Sequence, residues 1–189
     1  QLRNSFADGL EMALKQNSTL EILNLNHNKF GTGKGIASGL KGNAGLKELN
    51  LSCCSLNDDF ADALEMALKQ NSTLEKLDLS LNNFQTGKGI ARGLKENSGL
   101  KELRLCGCSL NAGFADALAT ALEQNSTLEK LDLRSNNFSS TIGRIRTFFA
   151  NVFNVFNFDA GKGIASGLKE NSGLKELNLS CCSLNDDFA

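Results

Sequence analysis

The sequence predicts an α/β solenoid, a coil of strand–helix units with parallel strands on its concave face and helices on its convex face. Three observations carry that reading. A frame of apolar residues recurs six times, starting at Asn17, Asn43, Asn71, Asn97, Asn125 and Asn171. Within each frame two leucines stand two residues apart, as Leu103 and Leu105 do around Arg104, which is the period of a strand with one buried face. Between frames, stretches such as residues 57–71 (NDDFADALEMALKQN) carry Phe60, Leu64, Ala67 and Leu68 at helical spacing.

Each frame reads Leu, two variable residues, Leu, one variable, Leu, two variable, Asn or Cys, one variable, then Leu or Phe. The fourth copy is Leu100, Leu103, Leu105, Cys108 and Leu110. The leucine pair gives the strand, and the helix follows it with Asn57 and Asp58 as candidate N-caps. Frame starts lie 26, 28, 26, 28 and 46 residues apart, so the true unit is a pair of about 54 residues and the last gap carries about 20 extra. Six copies in register outweigh any single motif. No unit of this size buries both of its apolar faces alone, so stability must come from stacking on neighbours. The chain therefore reads as one domain over residues 1–189, with an insertion at residues 139–158. That insertion, SSTIGRIRTFFANVFNVFNF, holds Phe148, Phe149, Phe153, Phe156 and Phe158. It is open to three readings: a locally packed amphipathic helix, a protrusion that binds a partner, or a segment with no selected structure.

Composition narrows the function classes. At 189 residues with 41% hydrophobic content the chain is long and apolar enough for a packed core. Twenty basic residues stand against twenty-one acidic ones, so the net charge of −1 offers no field to draw nucleic acid or an anionic membrane. The apolar runs are far too short for a membrane span, and the N-terminus lacks the order of a signal peptide. Residues 1–18 open inside a helix of the repeat and residues 180–189 stop at the start of one, so the sequence is expected to be part of a longer array.

The frame resembles that of leucine-rich repeats, in the variety found in ribonuclease inhibitor and in nucleotide-binding leucine-rich-repeat receptors. That resemblance covers nearly the whole chain outside the insertion and implies a right-handed horseshoe. The family alternates a repeat with Asn and a repeat with Cys at one fixed place, as Asn28, Cys54, Asn82, Cys108, Asn136 and Cys182 do here. The resemblance implies that these side chains turn inward and bond the backbone of the loop after each strand. A buried loop has backbone groups that need partners, and Asn supplies both donors and an acceptor while a thiol is a small, weak donor. Cys54, Cys108 and Cys182 are thus expected to be buried and reduced, with Cys53, Cys106 and Cys181 the more exposed three. Six thiols without a bridging pattern favour a reducing compartment, so a cytoplasmic location is expected. Neither the paired cysteines nor the lone His27 have metal-ligand spacing, and no metal or cofactor is expected.

Residues 31–37, GTGKGIA, invite comparison with a phosphate-binding loop, but Gly35 follows Lys34 where that motif needs Ser or Thr. The piece returns as QTGKGIA and DAGKGIA, so it reads as a turn into the convex helix. Sequons at Asn17, Asn71 and Asn125 fall at one point of the repeat and read as helix endings. With no recurring catalytic constellation, the chain is expected to be no enzyme.

Function should then lie on the side chains that alternate outward from the strands. The candidate protein-binding residues are Asn50, Ser52, Asp78, Ser80, Glu102, Arg104, Asp132, Arg134, Asn178 and Ser180. Beside them the column Glu48, Lys76, Glu102, Lys130 is expected to neutralise itself, because parallel strands lie about 4.8 Å apart. Arg104 and Arg134 are the preferred contacts, since Arg is favoured at interfaces. The expected partner is another protein, with no nucleic acid, membrane or small-molecule substrate. Resemblance implies either the sensing or autoinhibitory array of a cytosolic immune-type receptor or a stand-alone inhibitor like ribonuclease inhibitor. A competing expectation is a GTPase-activating protein of the Ran-regulator type.

Overall fold

The structure, a computed structural model, describes residues 4–138 and 171–182. In chain order the described elements are α1 (Asn4–Gln16), β1 (Ile22–Asn24), α2 (Lys34–Gly42), β2 (Glu48–Asn50), α3 (Asp58–Gln70), β3 (Lys76–Asp78), α4 (Lys88–Glu96), β4 (Glu102–Arg104), α5 (Ala112–Gln124), β5 (Lys130–Asp132) and β6 (Glu176–Asn178). The strands form one parallel sheet in sequence order. Its register stacks Leu23, Leu49, Leu77, Leu103, Leu131 and Leu177 side by side. The insertion at residues 139–158 lies outside the described residues.

Each inner repeat contributes the same apolar positions to one continuous core. Leu46, Leu74, Leu100 and Leu128 open the frames, Leu51, Leu79, Leu105 and Leu133 follow the strands, and Leu56, Phe84, Leu110 and Phe138 close them, all buried. Helices seal the core from the other side: α3 buries Phe60, Ala61, Leu64, Ala67 and Leu68, and Phe60 stacks on Phe84 with ring centroids 6.4 Å apart. Buried apolar area supplies most of the stability here, and it exists only between neighbours.

The two repeat lengths correspond to two helix types. Repeats with Cys in the ladder carry the 13-residue helices α3 and α5, entered through Asn57 and Asn111, whose side chains accept the N–H of Asp59 and Gly113. Asp58 is not the cap. It is the first helical residue, and its carboxylate turns to the next repeat, accepting the Gly87 N–H at 2.9 Å and the Thr86 hydroxyl at 3.0 Å. Repeats with Asn carry the 9-residue helices α2 and α4, entered through Gly33 and Gly87 in the left-handed region. The GTGKGIA piece is thereby explained as packing. Gly87 has a φ of 49°, and a Cβ at Gly89 would sit 2.2 Å from the Ala61 carbonyl oxygen, so α4 can lie against the backbone of α3 only with glycine there.

Candidate functional site

The concave face is built by the alternation of the strands. Because the leucine column points into the core, the flanking residues point out, and they form two shallow hollows of about 280 Å³ and 260 Å³. The first is lined by Asn24, Glu48, Asn50, Lys76, Asp78, Glu102 and Arg104 among others, and the second by Arg104, Lys130, Asp132, Arg134, Glu176 and Asn178 among others. The structure thus brings seven of the candidate residues, Asn50, Asp78, Glu102, Arg104, Asp132, Arg134 and Asn178, onto the walls of these hollows. Ser52, Ser80 and Ser180 are not among the lining residues and stand two residues past the ends of β2, β3 and β6.

Much of that face bonds to itself. Asn24, Asn50, Asp78, Asp132 and Asn178 each accept, through Oδ1, the backbone N–H two residues on, which closes the strand into its loop. Lys76 pairs with Glu48 and Lys130 with Glu176, both at 2.6 Å. Glu102 leaves the expected column. It pairs instead with Arg104 at 2.6 Å, because two residues along a strand share a face and the guanidinium fork reaches back. Arg134 grips Asp132 at 2.7 Å and holds that carboxyl below its ordinary range, chiefly by their hydrogen bond. Arg104 and Arg134 are therefore already paired, but with half of each side chain in solvent. Asp78 makes no ion pair among the described residues.

A second charge column was not anticipated. Glu21, Lys47, Glu75, Lys101, Glu129 and Lys175 alternate sign one residue earlier in the frame, and the pairs Lys47–Glu21, Lys101–Glu75 and Lys175–Glu129 close at 2.6, 3.0 and 2.8 Å. The sign alternation was present in the sequence, but that position lies before the strand and its direction is fixed only by the fold. All these pairs are exposed and each contributes at most about 1 kcal/mol.

Behind the face lie two ladders of polar side chains. In the first, Asn82 Nδ2 donates to the carbonyls of Leu51 and Leu79, and its Oδ1 accepts the N–H groups of Cys54 and Leu56. Asn136 repeats the pattern with Leu105, Leu133, Cys108 and Leu110. Asn28 donates to the carbonyls of Leu25 and Asn26. Cys54, Cys108 and Cys182 each donate one S–H to the carbonyl of Leu25, Leu79 and Leu133, at 3.0 to 3.1 Å. Burial pushes the Cys108 thiol up to about 12 and raises those of Cys54 and Cys182 as well. The six cysteines are free, and Cys181 is exposed while Cys53 and Cys106 are half-buried.

The second ladder was missed. Asn43, Asn71, Asn97 and Asn125 end the helices α2 to α5, Asn171 holds the same place in its frame, and each Nδ2 spans to two carbonyls of the preceding repeat, as Asn71 does to Leu40 and Asn43 at 2.8 and 2.9 Å. Each Oδ1 accepts two N–H groups of its own loop. A polar residue that opens every frame was the available signal, since an exposed helix end would not need Asn each time.

Among the described residues, no cluster of three His, Cys, Asp or Glu side chains could hold a metal ion, and no helix is long and apolar enough to cross a membrane.

Comparison with known proteins agrees with this geometry. A family profile described as Leucine Rich repeat matches residues 16–33, 70–87, 124–144 and 170–187, and a second, Leucine Rich Repeat, matches residues 45–66. The chain is 29% identical to NACHT, LRR and PYD domains-containing protein 12 of Homo sapiens, over 98% of this chain and 19% of that protein. It is 26% identical to the Ribonuclease inhibitor of Mus musculus, over 93% of this chain and 42% of that protein. It therefore spans less than half the length of either relative. Among solved structures, Leiomodin-1 Actin-Binding Site 2 superposes with a TM-score of 0.57 at 27% identity, covering 76% of this chain and 85% of that one.

Proposed function

The chain belongs to the leucine-rich-repeat family, in its ribonuclease-inhibitor-like form, and from that premise we propose that its concave face is the docking surface of a protein-binding scaffold. The observation that carries the reading is the pair of hollows on the sheet, whose polar walls are side chains the core does not use. Parallel strands hold Asn50, Asp78, Arg104, Asp132 and Asn178 in one row at fixed spacing, so the row is preorganised and a partner pays little to order it. Asp78 offers a carboxylate without an ionic partner among the described residues, and Arg104 and Arg134 can trade their own acids for a partner's. Ser52, Ser80, Glu102 and Ser180 extend the surface on either side.

The finer reading is a sensing or autoinhibitory array of a cytosolic immune-type receptor, supported by the likeness to the human NACHT, LRR and PYD domains-containing protein over nearly the whole of this chain. The likeness to ribonuclease inhibitor over 93% of the chain supports a second reading, a stand-alone inhibitor working in the cytoplasm. Both use the same face and neither calls for catalysis.

The test is capture of partners by the wild type, by a concave variant (Asp78→Lys with Arg104→Glu) and by a convex control (Arg92→Glu). Partners lost from the concave variant and kept by the control support the docking face. Equal capture by all three refutes it. Stimulation of a panel of small GTPases would instead favour the Ran-regulator reading.

A further inference from the structure

The repeat around β3 carries two side chains that the fold does not require. Asp78 closes β3 into its loop by accepting the Ser80 N–H at 2.9 Å through Oδ1. Asn24, Asn50 and Asn178 do the same at the equivalent place without a charge. At Asp132, the other acid of that row, the charge is held by Arg134. The half-buried Asp78 has no such use for its charge, and its Oδ2 meets no donor among the described residues.

Leu81, three residues on, fills a place taken in the other repeats by His27, Cys53, Gly107, Ser135 and Cys181, all at positive φ and none a large aliphatic residue. A leucine is disfavoured there, yet Leu81 keeps 59% of its surface in solvent at a φ of 58°. From β2 to β5 the only exposed large apolar side chains among the described residues are Leu81 and Met66, and Met66 lies on the convex helix α3. Gly107 makes room for the leucine: a Cβ there would stand 2.9 Å from Leu81 Cδ2, so the side chain rests over bare backbone. The half-buried Cys53 and Cys106 flank this shelf, since Cys53 N–H donates to the Ser80 carbonyl and Leu81 N–H to the Cys106 carbonyl.

Charge balance decides what fits beside it. On the concave strands Lys76 pairs with Glu48, Lys130 with Glu176, Arg104 with Glu102 and Arg134 with Asp132. Asp78 is the described charge left over. Arg104 stands opposite it in the register but turns back onto Glu102, which leaves the carboxylate open. Asp78 and Leu81 lie within about 10 Å of each other by chain length alone. An apolar shelf near an unmatched carboxylate suits a side chain with a methylene stem and a cationic head, the form of Lys and Arg.

We infer that Asp78 and Leu81 form a subsite of the concave face that takes a lysine or arginine side chain of the protein partner, the stem on Leu81 and the head against Asp78. The inference rests on the docking-face reading above and adds the chemistry which that face selects. A strained leucine and an unused charge weaken the free chain, and such features persist where binding uses them.

Short labelled peptides with Arg, Lys, Glu or Leu at the centre of an otherwise uncharged sequence, titrated into the full 189-residue chain, test this. The Arg and Lys peptides should bind about tenfold more tightly than the Glu peptide. Asp78→Asn should abolish that preference and keep the loop bond, which Asn already makes in other repeats. Leu81→Asn should weaken the Arg and Lys peptides severalfold while raising the melting temperature, a split that a purely structural role does not give. Equal binding of all four peptides, or a preference that survives Asp78→Asn, overturns the subsite; if that binding is lost in Arg104→Glu, the docking face stands without it. Binding untouched by all three changes removes both readings. Failure of the cationic peptides to bind at all overturns the subsite alone, and the docking face then answers to the capture experiment.

Discussion

Asn82 and Cys54 are coupled across the joint between two repeats: the Asn82 Oδ1 accepts the Cys54 N–H at 3.0 Å, while the Cys54 thiol donates onward to the Leu25 carbonyl at 3.1 Å. The amide satisfies both sides of a joint and the thiol only one. That asymmetry explains why the chain alternates the two residues: the Asn already supplies the acceptor that the Cys loop needs, so the thiol need only fill a narrow slot and cap one carbonyl.

Asn82→Ala should therefore be among the most damaging single changes. It strands the N–H groups of Cys54 and Leu56 and the carbonyls of Leu51 and Leu79 in a site that is almost fully buried. The expected loss is about 3 kcal/mol, read as a fall in melting temperature on the order of 10 °C. Asn82→Asp should be no better, because a carboxylate cannot donate to the two carbonyls.

The ladder thiols should be silent in the folded protein. At pH 8 a thiol-reactive reagent should label Cys181 first and Cys53 and Cys106 more slowly, and reach Cys54, Cys108 and Cys182 only on unfolding. Because folding raises the Cys108 value from the ordinary 9.0 to about 12, the unfolded chain releases this proton first as pH rises. Stability from this group is whole below pH 9 and is lost as pH climbs toward 12. Urea midpoints across that window should fall, and fall less in Cys108→Ala.

Leu81 is held at a φ of 58° with 59% of its surface exposed, a conformation unfavourable for a leucine side chain. Leu81→Asn should raise stability by about 0.5 to 1 kcal/mol. Gly107 takes the same place in the next repeat, at a φ of 61°, and a Cβ there would lie 2.9 Å from Leu81 Cδ2. Gly107→Ala should lower stability, and should do so less in the Leu81→Asn background, where the clashing methyl is gone. Thermal melts of the two single variants and the double variant measure this coupling.

Asp58→Ala should loosen α4 without touching the core, since it removes the acceptor for Gly87 N–H and the Thr86 hydroxyl at that helix's start. The expected cost is about 1 kcal/mol. Hydrogen exchange should speed up in the first turn of α4 while the strands keep their protection.

The strands, the two repeat types and the stacking of Leu49, Leu77, Leu103 and Leu131 were legible because periodicity alone sets which residues share a face. The helix-ending Asn column was visible in every frame yet read as a simple stop, since nothing in one repeat shows that Asn71 reaches back to Leu40 and Asn43. On the concave face alternation told which side chains leave the core, but the tie of Arg104 to Glu102, and of Asn50 and Asp78 to their own loops, was not visible.

The sequence by itself determined a coil of strand–helix units, its register and its single apolar interior, because those follow from spacing along the chain and the need to bury leucines. Only the tertiary structure decided which polar group meets which. Those choices depend on how far a side chain reaches once neighbouring repeats lie a few ångströms apart, and residues 26 to 31 positions distant become partners only when the coil has closed.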